Sequence, residues 1–219
     1  MKRIKLAVLF IILTGTFISA QSKFGIGVGG AFVSPTGDFA DVYENGFGGT
    51  VALTYDLTNS LQLSFSSGYS QLSFNNDRVN EILSAFGLNV NIDVDSKLKL
   101  IPVMAGVKYF FTESEFKPYV SADLGLHIIS ISASSIKIAG EPYDVVAEES
   151  KTSAAWGIGA GFLYKIAPTI SVDVNAKING NNLEVGTSNS YSGSDYSYSE
   201  TSKSTMTFFT ISAGILFEI

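Results

Sequence analysis

The clearest pattern along the chain has a period of two. In "TISVDVNAKINGN" (169–181), Ile170, Val172, Val174, Ala176 and Ile178 share one face, while Ser171, Asp173, Asn175, Lys177 and Asn179 share the other. Such alternation predicts a β-strand lying between two different environments. The same pattern recurs in 23–33 (Phe24, Ile26, Val28 and Phe32 opposite Gly25, Gly27, Gly29 and Ala31) and in 45–57 (Phe47, Gly49, Val51, Leu53 and Tyr55). It returns in 154–165, where Trp156, Ile158, Ala160, Phe162 and Tyr164 face away from Gly157, Gly159 and Gly161. The last residues, "TMTFFTISAGILFEI", set Phe209, Ile211, Ala213, Ile215, Phe217 and Ile219 on one side. Segments 60–73, 97–111 and 116–131 fit less cleanly and bring the expected strands to eight.

The connections alternate as well. They run long (34–45), short (57–60), long (74–96), short (112–115), long (132–152), short (166–168) and long (180–204). In an up-and-down meander every second connection falls at the same end, so the long loops share one end and the short turns the other. That asymmetry is the signature of a transmembrane barrel of the outer-membrane kind. The expected fold is all-β: an eight-stranded antiparallel up-and-down transmembrane β-barrel, with both termini on the periplasmic side. The terminal strand is expected to pair with the first and so remove the edges of the sheet.

Aromatic residues support the same reading. On the apolar face, Phe24, Tyr55, Tyr109, Phe111, Phe116, Tyr164 and Phe217 lie nearest the short turns, and Phe32, Phe47, Tyr69, Trp156 and Phe209 nearest the long loops. Two such bands are expected to form the girdles at the two membrane interfaces. The other face is rich in Gly, Ser, Thr, Asn and Ala, as a narrow interior filled by side chains requires. The opposite arrangement, a soluble lipocalin-like barrel with its apolar face inward, would place Lys and Glu on the outer face instead of these glycines.

Composition adds location. Lys2, Arg3 and Lys5 precede the apolar run Leu6–Leu13, and Ile18-Ser19-Ala20 precedes Gln21, so residues 1–20 read as a secretory signal peptide and 21–219 as the barrel domain. Losing those three basic residues takes the formal charge from −6 to −9, which argues against a nucleic-acid partner. There is no cysteine, hence no disulfide and no thiolate metal site. Beyond the leader no apolar stretch is long enough for a spanning helix, so a membrane position requires strands.

Ser212, Gly214, Phe217 and Ile219 resemble the C-terminal signal that barrel-assembly machinery reads: a polar residue, a glycine, then two hydrophobics. With eight strands, a leader and this signal, the mature chain resembles the small outer-membrane β-barrel family of the OmpA-barrel, OmpX and opacity-protein type. "KPYVSADLGLH" (117–127) looks like the fifth-strand start common there, and "ISAQ" with the acidic mature chain looks like the Bacteroidetes branch. The resemblance implies an outer-membrane location in a Gram-negative cell, among lipid and lipopolysaccharide. It implies little about activity, since members include adhesins, porin-like narrow channels and a few lipid A enzymes.

Candidate chemistry is sparse. His127 is the sole histidine; Ser121 and Asp123 share its face, while Ser130 points the other way. Lys108, Asp123, Asp173 and Lys177 are expected to face inward with His127 as a polar network of the lumen, paired because an unpaired buried charge is costly. In "DRVNEILSAFGL", Val79, Ile82, Leu83 and Phe86 recur at helical spacing and Gly87 stops the run. "NVNIDVDS" sets Asn89, Asn91, Asp93 and Asp95 on one face, read as a solvated strand extension without the glycine turn of a calcium loop. The Ser- and Tyr-rich "TSNSYSGSDYSYSETSKS" has the composition of a binding loop. No cofactor, metal site or catalytic residue is expected. The leading reading is a non-enzymatic surface barrel acting through its loops in adhesion, partner binding or envelope integrity. The alternatives are a gated channel or transporter of small apolar molecules, a lipid A-modifying enzyme, and a soluble carrier.

Overall fold

The computed structural model describes residues 24–88, 91–138, 141–184, 191–193, 196–198 and 203–219. Residues 1–20, the expected leader, and much of the Ser- and Tyr-rich segment lie outside these. The barrel strands are β1 (Phe24–Thr36), β2 (Gly46–Asp56), β3 (Leu61–Ser73), β4 (Ile92–Phe110), β5 (Phe116–Ile138), β6 (Glu141–Ala167), β7 (Ile170–Glu184) and β10 (Lys203–Glu218). A separate two-stranded ribbon joins β8 (Tyr191–Gly193) to β9 (Tyr196–Tyr198). Each barrel strand pairs with its neighbours in sequence, and β10 closes on β1 through Gly25↔Glu218, Gly29↔Gly214 and Thr36↔Thr207. The eight-stranded antiparallel barrel expected from the alternation is the observed fold.

Side-chain size explains why the inner face of β6 is glycine. A Cβ on Gly157 would sit 2.7 Å from the Asn179 amide oxygen, and one on Gly161 would sit 2.8 Å from the Tyr119 ring. One on Gly159 would run into the Lys177 side chain. The bare backbone of β6 is the floor across which the long polar side chains of β5 and β7 lie.

The two faces exchange character along the barrel axis. Through the middle, outward positions are apolar (Val103, Val107 and Tyr109 on β4; Ile211 and Ile215 on β10) and inward ones small or polar. Towards the long loops Lys97 and Lys99 point outward on β4, while Leu98 and Leu100 between and beyond them are buried inside. Leu72, Ile129, Val33, Met206 and Phe208 join them in one apolar cluster, capped by Tyr43. The expectation of an interior rich in small and polar residues therefore holds through the middle and is corrected towards the long loops. Beyond the hydrocarbon water bathes the outside, so the wall there buries its apolar side chains inward as a soluble barrel does.

A second correction concerns 132–152, read as a loop. It is a β-hairpin: β5 and β6 remain paired out to Ile138↔Glu141, with one register shift between Ala133 and Ser135. β4 stays paired with β5 out to Ile92↔Ile138, whereas β3 leaves β4 at Ser73↔Lys97 and β7 leaves β6 at Ala155↔Asn181. Three strands therefore rise above the rim. With water on both faces there is no selection for alternation, so the pattern fades while the ladder persists.

Candidate functional site: a braced lumen and a structured crown

Inside the barrel, Lys177 Nζ lies 2.6 Å from Asp123 Oδ2 and Lys108 Nζ lies 2.5 Å from Asp173 Oδ2. Tyr119 donates its hydroxyl to the other Asp173 oxygen at 2.6 Å, and its ring lies 4.6 Å from Lys108 Nζ. These pairs span strands that are not adjacent, β5 to β7 and β4 to β7, so they brace the lumen across its width. His127, 1 % exposed, stands apart from them: its Nδ1 is 3.1 Å from Asn181 Nδ2, and its ring stacks at 5.3 Å on Phe208. The four charged residues are thus brought together, and His127 lines the same cavity but takes its contacts from Asn181 and Phe208. Asn181 is not among the expected lumen residues, because it falls where the strand 169–181 meets the expected loop 180–204; continuing the alternation one further pair past Asn179 places it inward.

Apolar layers flank the network on both sides. Phe110, Tyr119, Leu163 and Leu216 cluster towards the short turns, and the Val33 to Phe208 cluster lies towards the other end. Between them a cavity of ≈ 160 Å³ lies eccentrically against β1 to β3, whose inward residues are Gly27, Gly29, Ala52, Ser64 and Ser66. Strands β4, β5 and β7 supply all of the charged lining.

Over the apolar mouth sits a crown made of two loops. Phe39 and Phe74 pack on Tyr43 with ring centroids at 5.1 and 6.2 Å, and Tyr43 bridges to Phe74 along the backbone. Burial raises the pKa of the Tyr43 phenol, so it stays neutral over the plug. Helix α1 (Asn76–Ala85) follows, its first turn capped by Asn75 Oδ1 on Arg78 N at 3.1 Å. Its end is a left-handed glycine stop: Gly87 has φ +78°, and Gly87 N and Leu88 N bond back to Ser84 O and Leu83 O.

What fixes α1 is a pair of amides one turn apart. Asn76 Oδ1 accepts from Val94 N at 2.7 Å while its Nδ2 donates to Val94 O at 3.1 Å. Asn80 does the same to Ile92, at 2.8 Å for both bonds. Val94 and Ile92 are two apart on β4, beyond the point where β3 has ended, so their backbone groups on that edge have no strand to pair with. The helix substitutes for the missing strand, its 5.4 Å pitch bridging a two-residue strand repeat of roughly 6.6 Å. Arg78 adds a clamp, with Nε 2.9 Å from Asp41 and Nη1 2.8 Å from Glu81. Bonding to Glu81, then to Asp41, raises its pKa.

The family model for the outer membrane protein beta-barrel domain matches residues 6–215. This chain belongs to that family. As an outer-membrane barrel it is similar to the outer membrane protein PagN of Salmonella typhimurium, 29 % identical over 155 residues, which cover 68 % of this chain. The match spans 64 % of that relative's length, less than two thirds. Neisserial surface protein A shares the fold with TM-score 0.53 at 17 % identity, over 90 % of this chain and 97 % of that one. A major outer membrane protein of Thermus thermophilus does so with TM-score 0.53 at 12 % identity, over 90 % and 98 %. The membrane around the barrel is therefore the outer membrane of a Gram-negative cell. The outward face carries Phe24, Tyr55, Tyr109, Tyr164 and Phe217 towards the short turns, and Phe32, Phe47, Tyr69, Trp156 and Phe209 towards the long loops. Ser212 and Gly214 of β10 point inward, Phe217 and Ile219 outward.

Proposed function

We propose that this barrel is a non-enzymatic surface protein that binds an extracellular partner through its long loops, with both termini in the periplasm. The observation that carries this reading is the contrast between the two ends of the lumen and the crown. The interior holds ion pairs braced between two apolar layers, whereas the crown above is structured and open to water. A transporter needs a path, and the apolar plug under Tyr43 opposes one. An acyl-ester enzyme needs its histidine near lipid, and His127 is enclosed between Asn181 and Phe208. In this reading lipopolysaccharide surrounds the aromatic bands, and assembly machinery recognises Ser212, Gly214, Phe217 and Ile219 on β10.

The test is display of the full chain on Gram-negative cells beside a variant in which 37–45 and 74–91 are replaced by short turns. Cells carrying the full chain are expected to adhere to epithelial cells or matrix, and those with the stripped barrel to lose adherence while the barrel still shifts on a gel when heated. Equal adherence by a folded, stripped barrel would overturn the proposal.

A further inference from the structure

Part of the apolar side of α1 faces water, while Val79 and Leu83 on the same side are half-buried. Phe86 is 79 % exposed, Leu88 52 % and Ile82 38 %, and no residue of the helix is buried. Ile82 and Phe86 are one turn apart and so share a face. The cause is the amide ladder: because Asn76 and Asn80 turn their side of the helix towards β4, Ile82 and Phe86 are left pointing outward. A helix that merely covered the barrel rim would be rotated the other way, with Phe86 inward. Four side-chain bonds hold it as it is.

Three occupants can be weighed for this face. Lipid is the first, and position opposes it. The helix docks at Ile92 and Val94, further towards the loops than Lys97 and Lys99, whose outward charges already lie beyond the apolar band. A second copy of this chain is the next, and charge opposes it. The segments 34–45, 74–96, 132–152 and 180–204 hold 14 of the 20 Asp and Glu but four of the Lys and Arg, so two crowns repel. Near α1 itself, Asp41, Glu44, Asp77, Glu81, Asp93 and Asp95 stand against Arg78 and Lys137. What remains is an apolar surface in a negative field.

We infer that the exposed face of α1, with Ile82, Phe86 and Leu88, is the docking site for a cationic amphipathic peptide segment of a partner protein. The inference rests on the surface-recognition reading above and names the chemistry of its partner. The apolar side of the incoming segment covers Phe86 and Ile82, and its Lys and Arg meet the carboxylates of the crown. A helix already held to β4 by four side-chain bonds has part of its ordering cost met before docking, which favours affinity. A sulfated polysaccharide, by contrast, finds the wrong sign of charge.

The full mature chain in zwitterionic nanodiscs tests this with a fluorescent Leu/Lys peptide patterned as an amphipathic helix, read by anisotropy against empty discs. Binding above the empty-disc level is expected, weakened by salt and by about tenfold or more in Phe86→Ser with Ile82→Ser. Because both side chains are exposed, the barrel is expected to keep its heat-dependent gel shift. Equal binding of a scrambled peptide of the same composition, or of the double variant, would overturn the inference. So would preferential binding of heparin, or self-association that the double variant abolishes. If the double variant binds normally while the stripped barrel still loses adherence, this inference fails and the broader one stands. If the stripped barrel adheres fully, the broader one fails.

Discussion

Asp123 shows what a single inward carboxylate does in this barrel. Its side chain is 3 % exposed and holds Lys177, while Gly106 and Gly157 on the flanking strands leave it room. Removing one partner strands the other charge away from water, which costs more than the pair itself contributes. Asp123→Ala is therefore expected to destabilise the barrel by about 3–5 kcal/mol, and Asp123→Ala with Lys177→Met to recover most of that loss. Urea unfolding followed through Trp156, the sole tryptophan, measures both; an equal loss in the single and double variants would show that the pair does not carry the effect. The inward direction of these residues was legible because parity alone decides it. The partners were not, because which lysine reaches which carboxylate depends on strand tilt and on the glycine floor of β6. Parity likewise places His127 beside Asp123, yet its neighbours are Asn181 and Phe208, since the ring lies at the boundary where the lumen turns apolar.

At the scale of elements, α1 and β4 form one unit. The asparagines replace a strand partner, so Asn76→Ala with Asn80→Ala leaves the Ile92 and Val94 backbone groups open to water and the helix tethered only through Asn75 and Arg78. Limited proteolysis is expected to cut within 74–91 several-fold faster in that variant, with the barrel core untouched. Unchanged cleavage would mean that the crown is held by other contacts. The helix itself was readable from the spacing of Val79, Ile82, Leu83 and Phe86 and from Gly87. Its orientation was not, because apolar periodicity suggests an inward greasy face and the deciding contacts are amides to backbone, which leave no hydrophobic trace. The hairpin of β5 and β6 escaped for a related reason: alternation reports a boundary between two solvents, and above the membrane there is only one. The charge of the long-loop segments, by contrast, is visible in the sequence by counting Asp and Glu against Lys and Arg.

For the molecule as a whole, the lumen is expected to stay closed because apolar side chains exclude water at both ends, with the ion pairs as bracing between them. Planar-bilayer recordings are expected to show no steady conductance for the native chain or for Asp123→Ala. Leu98→Ser with Phe208→Ser, which lets water into the plug, is expected to give discrete openings. Conductance appearing in Asp123→Ala alone would make the ion pairs the gate instead. The exchange of faces on β4 has a mechanical side too. With Lys97 and Lys99 outward at one level and a continuous apolar band below, the barrel carries a fixed waterline. Sinking deeper drags an ammonium group towards hydrocarbon, at a cost rising from about 0–1 kcal/mol near the interface to about 2–4 kcal/mol at the midplane. In a thicker bilayer the protein therefore does not ride lower. The lipid beside β4 has to thin to meet it.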